Sequence, residues 1–305
     1  MDNERLLRRL QRPTGPVDVV LDTDCYNEID DQFALSYLLH AGEKLRPQAI
    51  YAAPFFNANS SGPEDGMERS YDEILHLLRL CGRTELEPVV YKGSRGYLVD
   101  ENTPQPSPAA EDLCRRAMAH SEEEPLYVVA IGAFTNVASA LLMQPEIKDR
   151  IVLVWLGGTA LDWPHNQEFN LIQDVAAARI VFGCGVPLVQ LPCAGVVDRF
   201  TVSGPELEHW FRGRNALCDY LAGHTIEEAE SYAKGKPWSR VIWDVTAVAW
   251  LLDGEGRMLE DRLEHSPIPQ YDGHWSRDNT RHFYQYVYHI NRDALLEDLI
   301  ARLTR

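Results

Sequence analysis

The sequence lacks paired cysteines, and it lacks any apolar run that approaches the length of a membrane span. Its six cysteines are scattered without Cys-x-x-Cys spacing, at positions 25, 81, 114, 184, 193 and 218. In a chain of 305 residues this distribution is typical of reduced thiols that fill a core. The first ten residues also lack the apolar segment of a signal peptide. We therefore expect a soluble cytoplasmic protein.

Basic residues are scarce relative to acidic ones. Lys and Arg number 29 against 46 Asp and Glu, so the formal net charge is −17. This excess of negative charge disfavours nucleic-acid backbones and anionic membranes as partners. It favours a neutral small molecule as the ligand, except where a bound cation reverses the local field. We expect neither a nucleic-acid partner nor a membrane partner.

Apolar runs of strand length alternate with helical patterns from residue 19 to residue 191. This alternation predicts a mostly parallel, doubly wound, Rossmann-like α/β sheet. From residue 205 the pattern becomes helical, and residues 265–285 are expected to be irregular or to form a small hairpin. No linker or shift in composition divides the chain, so we expect a single domain over residues 1–305.

Two connections in the first half of the chain have distinct patterns. Apolar residues at helical spacing predict a helix from about residue 69 to residue 80. Residues 92–108 are rich in Gly and Pro, which predicts a long exposed loop. Long ordered loops in compact domains often form lids.

An acidic cluster follows the first predicted strand. Asp22 and Asp24 lie where that strand should end, and Asp30 and Asp31 open the next helix, with Glu28 just before them. Carboxylates this close repel one another unless protons or a cation neutralise them. Oxygen ligands at this density suit a hard cation, Ca²⁺ or Mg²⁺. Open α/β sheets also build their sites at the carboxyl ends of strands, so we interpret the cluster as a metal site rather than as helix caps.

Two further polar stretches follow apolar segments. Residues 157–170 come after the strongest strand and contain Asn166, Glu168 and Asn170, whose side chains supply donors and acceptors for vicinal hydroxyls. Taken alone, an ordinary polar loop with a helix cap is the better explanation of this stretch. Asp244 stands between Trp243 and an apolar helix, where a helix N-cap is the ordinary interpretation.

Together these stretches resemble the nucleoside hydrolase family, the calcium-dependent N-ribohydrolases. Asp22–Asp31 resembles the family's Asp-rich N-terminal signature, and residues 130–138 match its strand-turn-helix with a Thr-Asn pair. Residues 168–170 match its ribose-binding Glu-aromatic-Asn motif, and residues 243–244 match its late metal-binding Asp. The four matches occur in the family's order and span most of the chain.

The resemblance implies a calcium site and the nucleophile's base. Ca²⁺ would be bound by Asp24, Asp31, Asp244 and the backbone carbonyl of Ile131. Asp24 would also take a proton from the attacking water. A carboxylate-rich site is consistent with the chemistry, because cleavage of an N-glycosidic bond passes through an oxocarbenium-like ribosyl cation.

The resemblance also implies the ribose ligands. Asp30 would bind the 2′-hydroxyl, Asn170 the 2′- and 3′-hydroxyls, and Glu168 the 5′-hydroxyl. Asn57 follows the second strand and would contact the ribose or the water, and Asn166 is a further candidate for the hydroxyls. The expected substrate is a ribonucleoside, and the resemblance implies a homodimer or homotetramer.

The chain departs from the family at the leaving-group end. Five residues, Cys25–Ile29, separate Asp24 from Asp30, where the usual signature has three. Trp243 stands where pyrimidine-accepting members carry a His that protonates the leaving base. A Trp there would stack on the base, which favours purines. His165, in the loop before Glu168, is a second candidate for the acid.

Two alternatives remain open at this point. The run ending in Asp22-Thr23-Asp24 also resembles haloacid-dehalogenase phosphatases, in which Asp22 would be the nucleophile and Asp24 an acid/base around Mg²⁺. That interpretation leaves residues 168–170 unexplained. The other alternative is a non-catalytic relative that binds ribose or nucleosides and has lost leaving-group activation, since the usual His is missing.

Overall fold

The fold is organised around an eight-stranded sheet, which a computed structural model describes together with the rest of residues 2–305. The strands are β1 (Val17–Thr23), β2 (Leu45–Ala52), β3 (Val90–Lys92), β4 (Leu126–Ala130), β5 (Ile151–Leu156), β6 (Leu188–Leu191), β7 (Thr201–Val202), β8 (Arg240–Val241), β9 (Leu259–His265), β10 (Ile268–Pro269), β11 (Trp275–Ser276) and β12 (Phe283–Ile290). The helices are α1 (Asn3–Arg9), α2 (Asp30–Leu39), α3 (Pro63–Leu80), α4 (Pro108–Ala119), α5 (Thr135–Met143), α6 (Phe169–Gln173), α7 (Val175–Gly183), α8 (Gly204–Trp210), α9 (Ala216–Ala233), α10 (Val245–Leu252) and α11 (Arg292–Leu303).

The strand order of the main sheet is β3-β2-β1-β4-β5-β6-β12-β9. Every neighbouring pair is parallel except β12 and β9, which are antiparallel. The chain moves outward in one direction from β1 to β3 and in the other direction from β4 to β6. Doubly wound sheets bind their ligands at the carboxyl ends of the strands where this reversal occurs. The topology therefore places a crevice between the ends of β1 and β4.

Helices cover both faces of the sheet. Side chains alternate along β1, so that Val19 and Leu21 belong to one core cluster and Val20 to the other. The first cluster takes residues from α2, α3, α9, α10 and α11, and the second from α4, α5 and α7. The predicted doubly wound, mostly parallel α/β architecture is thus confirmed. Within residues 2–305 no helix is both long enough and apolar enough to cross a bilayer.

The C-terminal part contributes more to the sheet than the sequence pattern indicates. A small hairpin forms within residues 265–285 as predicted, from β10 and β11. The flanking strands β9 and β12 were not foreseen, and they extend the main sheet at one edge. β9 is charged and half exposed because it is an edge strand, and such a strand has no continuous apolar run to reveal it.

The connections around α3 and after β3 differ from expectation. α3 begins at Pro63, six residues before the predicted start, because a Pro at its first position and two acidic residues after it suit a helix N-terminus. The loop 93–107 is only partly exposed. Its backbone is held by Asp174 Oδ2, which accepts from Leu98 N at 3.0 Å, and by Ser139 Oγ, which accepts from Gln105 N at 3.0 Å. Leu98 is buried, so the middle of this loop packs as part of the fold.

Candidate active site

The predicted site residues meet at the crevice between β1 and β4. Asp22 lies beside Ala130 in the parallel pairing of the two strands, and Ile131 N donates to Asp22 O at 2.9 Å. Asp24 and Ile131 therefore follow adjacent strand ends. The Thr-Asn pair at the start of α5 secures this arrangement. Asn136 Nδ2 donates to Asp22 Oδ1 at 2.8 Å.

Five aspartates from three segments are buried together at these strand ends. They are Asp22, Asp24, Asp30, Asp31 and Asp244, each at most 3% exposed. Asp30, Asp31 and Asp244 each offer a carboxylate oxygen, and these oxygens lie within 4.8 Å of one another. α2 supplies two of the three carboxylates from its first turn, and the third precedes α10. The tertiary fold thus joins residues that are more than 200 positions apart.

Negative charge on these buried aspartates is strongly disfavoured unless a cation balances it. Burial raises the pKa of Asp22 and of Asp30 to about 7 each, and the neighbouring Glu28 adds to the effect on Asp30. Burial, and then repulsion by other aspartates, raises the pKa of Asp24 and of Asp244 well above the ordinary range. Carboxylates in this state take up protons or bind a cation.

The free oxygens of the cluster fit a hard cation. Both carboxylate oxygens of Asp24 and Oδ1 of Asp30 are buried and accept no hydrogen bond from residues 2–305. Asp244 occupies the N-cap position of α10, yet its carboxylate caps no backbone N–H. From the sequence, an ordinary helix N-cap was one interpretation of Asp244. In the structure its side chain does not make the hydrogen bond of such a cap. Buried oxygens without donors are what Ca²⁺ or Mg²⁺ would bind.

The set of three close carboxylates differs from the set implied by family resemblance. It contains Asp30, which the resemblance assigns to the ribose 2′-hydroxyl, and it does not contain Asp24. Asp24 is nevertheless close enough for its charge to act on Asp31 and Asp244. Asp30 and Asp244 line a cavity together with Ile131, whereas Asp24 and Asp31 are buried beside it.

Asn170 and Glu168, the predicted ribose ligands, both line this cavity. Asn170 Nδ2 donates to the carbonyls of Ile131 and Leu156, both at 3.1 Å, which ties the ends of β4 and β5 together. Both amide hydrogens are then used, and the Oδ1 atom is left to accept from a hydroxyl. The Asn170 side chain thus connects two strand ends and is also a candidate ligand of the ribose.

Glu168 has a similar double role. Its Oε2 accepts from Gly158 N at 2.7 Å and from Leu171 N at 3.0 Å, and its Oε1 accepts from Asn170 N at 2.9 Å. Glu168 is therefore the N-cap of α6, which was the ordinary interpretation of this loop. Burial raises the pKa of its carboxyl, although these backbone donors oppose the shift.

Two of the predicted substrate ligands lie outside the cavity lining. Asn57 Nδ2 donates to Asn27 Oδ1 at 2.5 Å, so Asn57 supports a residue that does line the cavity. Asn166 is fully buried and its Oδ1 accepts from Thr159 N at 2.9 Å. Its Nδ2 is buried without a partner among residues 2–305. The side chains of Asn57 and Asn166 therefore stabilise loops next to the cavity.

The cavity has a volume of about 290 Å³, close to the lower end of the usual range for small-molecule sites (roughly 300–1,000 Å³). Both candidates for handling the leaving group line it. Trp243 is half-buried against the apolar core, and His165 is exposed in the loop before α6. Asp22 does not line the cavity, as a phosphatase nucleophile would have to.

The structure adds residues that the sequence analysis did not assign to the site. Asn27 and Glu28 line the cavity from the lengthened loop; from the sequence, Glu28 was counted in the acidic cluster, but neither residue was given a role of its own. Arg240 binds Glu28, and Cys193 lines the cavity from the segment after β6. Burial, with the negative charges of Glu168 and Asp244, raises the pKa of the Cys193 thiol, so this thiol stays protonated. No spacing in the sequence marks Arg240 or Cys193.

Comparison with known proteins gives a consistent set of matches. The family model described as inosine-uridine preferring nucleoside hydrolase matches residues 19–288. The pyrimidine-specific ribonucleoside hydrolase RihA of Escherichia coli is 28% identical over 258 residues, covering 76% of this chain and 79% of the relative.

Two solved structures share the fold. A plant nucleoside hydrolase superposes with a TM-score of 0.75 at 20% identity, covering 95% of this chain and 99% of its own. A purine-preferring ribonucleoside hydrolase from Gardnerella vaginalis superposes with a TM-score of 0.74 at 22% identity, covering 94% of this chain and 98% of its own. At these identities the two structures establish a common fold and no more.

Proposed function

The chain belongs to the inosine-uridine preferring nucleoside hydrolase family, and we propose that it hydrolyses purine ribonucleosides to ribose and free base with the help of Ca²⁺. The family resemblance drawn from the sequence is thereby confirmed, and the chain is an N-ribohydrolase. The purine preference and the identity of the ion are our proposals. The observation that carries them is that one cavity is lined by two of the buried aspartates, Asp30 and Asp244, and by Trp243, together with the ribose candidates Glu168 and Asn170.

The cation is proposed to be held by Asp24, Asp31, Asp244 and the carbonyl of Ile131. When bound, it supplies positive charge that favours the deprotonated form of the nucleophile. Asp24 then acts as the base that takes the proton of the attacking water. Its two oxygens have no donor among residues 2–305, so they are available for that proton and for the cation.

The ribose is proposed to lie against Asp30, Glu168 and Asn170. The C–N bond breaks as positive charge develops on the sugar, and the negative carboxylates beside it stabilise that charge. Because Asn170 and Glu168 are held by backbone hydrogen bonds, they need little reorganisation when the charge develops. Asn57 and Asn166 are proposed to act through the loops they support.

The base is proposed to stack on Trp243. A purine offers a larger aromatic surface than a pyrimidine, so an indole face in this position favours purines. The named relatives include both a purine-preferring and a pyrimidine-specific enzyme, so membership of the family does not decide the preference. His165 at the cavity rim is the alternative leaving-group acid.

A panel of nucleosides assayed with calcium tests the proposal. Release of reducing sugar should be fastest with inosine and guanosine, slower with uridine and cytidine, and lost when a chelator removes the metal. The Asp31→Asn variant is the matched control, because it should lose turnover whether or not calcium is added.

Other outcomes separate the alternatives. Binding of nucleosides without turnover would show a non-catalytic relative. Faster turnover of uridine than of inosine would overturn the purine preference. Hydrolysis of a phosphomonoester by the purified chain would support the phosphatase alternative instead.

We also propose a cytoplasmic location and a homodimer or homotetramer. All six cysteines are unpaired, which supports a reducing compartment. Light scattering of the purified chain would give the oligomer size, and a monomer at micromolar concentration would contradict the proposal.

A further inference from the structure

The lengthened loop between Asp24 and Asp30 brings a carboxylate to the cavity that the proposed reaction does not use. Glu28 lines the cavity, and its Oε2 accepts from Arg240 Nη2 at 2.7 Å. Arg240 also contacts Glu228 on α9, at 3.4 Å. This ion-paired triad connects the loop to the strand that leads into Trp243.

The loop is held from its other side as well. Asn27 is 8% exposed, and its Oδ1 and backbone carbonyl accept from Asn57 Nδ2 at 2.5 Å and from Asn59 Nδ2 at 2.8 Å. Asn27 N in turn donates to Asp24 O at 2.7 Å. The backbone next to Glu28 is therefore held by the hydrogen bonds of Asn27, and the Glu28 side chain is held by Arg240.

The ion pair of Glu28 with Arg240 ties it to the segment that carries Trp243, the candidate for stacking on the base. The ribose candidates Glu168 and Asn170 come from the loop after β5, whereas Arg240 begins the short segment that ends in Trp243. The Glu28 carboxylate accepts from Arg240, and a carboxylate accepts hydrogen bonds and donates none.

We propose that Glu28 recognises the N–H edge of the base and makes the site select 6-oxopurine nucleosides, namely inosine and guanosine. This inference rests on the proposed function, since it requires a nucleoside in the cavity. The N1–H of hypoxanthine or guanine donates to a carboxylate, and guanine adds its amino group. Adenine has a lone pair at N1, which a carboxylate repels. A site built for an N–H donor discriminates strongly against a base that lacks it.

The test compares inosine and adenosine in the parent and in Glu28→Gln. The parent should prefer inosine in kcat/KM. Glutamine keeps the size and can still accept from Arg240, but its amide can donate to N1 of adenine. The variant should lose roughly ten- to a hundredfold on inosine, the usual size for one charged hydrogen bond, and hold or gain on adenosine. Glu228→Gln is the matched control, because it changes the other partner of Arg240 outside the cavity and should leave the preference unchanged.

Equal losses on the two substrates would overturn the proposal, because Glu28 would then act only on the loop or on the charge of Asp30. No loss would overturn it as well. Calorimetric binding of free hypoxanthine and adenine to the parent needs neither turnover nor a variant. Tighter binding of hypoxanthine supports the proposal, and equal binding overturns it. If no nucleoside is hydrolysed, the proposed function fails, while the calorimetric comparison still tests whether the cavity selects a 6-oxopurine base.

Discussion

The two ends of the cavity are built in different ways. The acidic end uses side chains at strand ends and helix starts, all at most 3% exposed, such as Asp30 and Asp244. The part of the lining that we propose for the base uses His165 and Glu28 from loops, and the half-buried Trp243. The Glu28 side chain is 41% exposed. Residues held by a parallel sheet have fixed positions, which suits the step of the reaction that every substrate shares. Loops vary more easily, which suits the recognition of different bases.

The largest effect is expected at the acidic end. Asp31→Asn and Asp244→Asn should each abolish calcium binding in calorimetry, because each removes a charged ligand from a buried site. Asp174→Asn is a matched control, since Asp174 is also buried but caps α7 through Ala177 N at 2.9 Å. Calcium binding by Asp31→Asn or Asp244→Asn with the parent's affinity would show that the ion binds elsewhere.

The ribose contacts should come next. Glu168→Ala should cost roughly 2–4 kcal/mol in kcat/KM on inosine, as expected for a group that contacts a partly charged, buried transition state. Asn170→Ala should cost a similar amount. On a 5′-deoxynucleoside the loss from Glu168→Ala should disappear. If the full loss persists there, Glu168 acts through its cap on α6 rather than on the 5′-hydroxyl.

Trp243 should show a smaller and substrate-dependent effect. Trp243→Ala should lower kcat on inosine by about a hundredfold, the usual contribution of assistance to a leaving group. p-Nitrophenyl riboside has an activated leaving group and should lose much less. His165→Ala is the opposing variant, because selective loss of purine turnover there would make His165 the acid. If Trp243→Ala lowers kcat equally on both substrates, Trp243 only shapes the pocket.

The smallest effect is expected in the pH dependence of stability. Asp22 and Asp30 have pKa values of about 7 in the folded chain against an ordinary 3.8, so the folded chain binds more protons between these values. Without metal, the free energy of unfolding should therefore fall as pH rises from about 4 to 7. Denaturant titrations in a chelator measure this slope, and Asp30→Asn should flatten it.

Calcium should compensate for the loss at neutral pH. At about a hundred times its Kd it should add roughly 2.7 kcal/mol to the unfolding free energy of the parent. The increment should be absent in Asp31→Asn. A stability that rises with pH in the chelated parent would contradict the raised pKa values of Asp22 and Asp30, whose first cause is burial.

Local sequence patterns determined much of the sheet and the acidic end. Ile151–Leu156 and Leu188–Leu191 are strands that belong to the alternating pattern predicted for residues 19–191, since continuous apolar runs of this length are buried on both faces. Asp22, Asp24, Asp30 and Asp31 could be assigned to one site because the end of one strand and the start of the next helix lie side by side. These inferences need only the periodicity of a short segment.

The tertiary structure alone decided the rest. The charged edge strand β9 forms because it pairs with β12, which no local pattern reveals. Arg240 meets Glu28 across more than 200 residues, and Cys193 reaches the cavity only through the ordering of β5 and β6. Asn166 has the donor and acceptor groups expected of a ribose ligand, yet its Oδ1 accepts a hydrogen bond from Thr159 N instead. Side-chain direction and long-range contacts are set by packing, so residue type and spacing could not supply them.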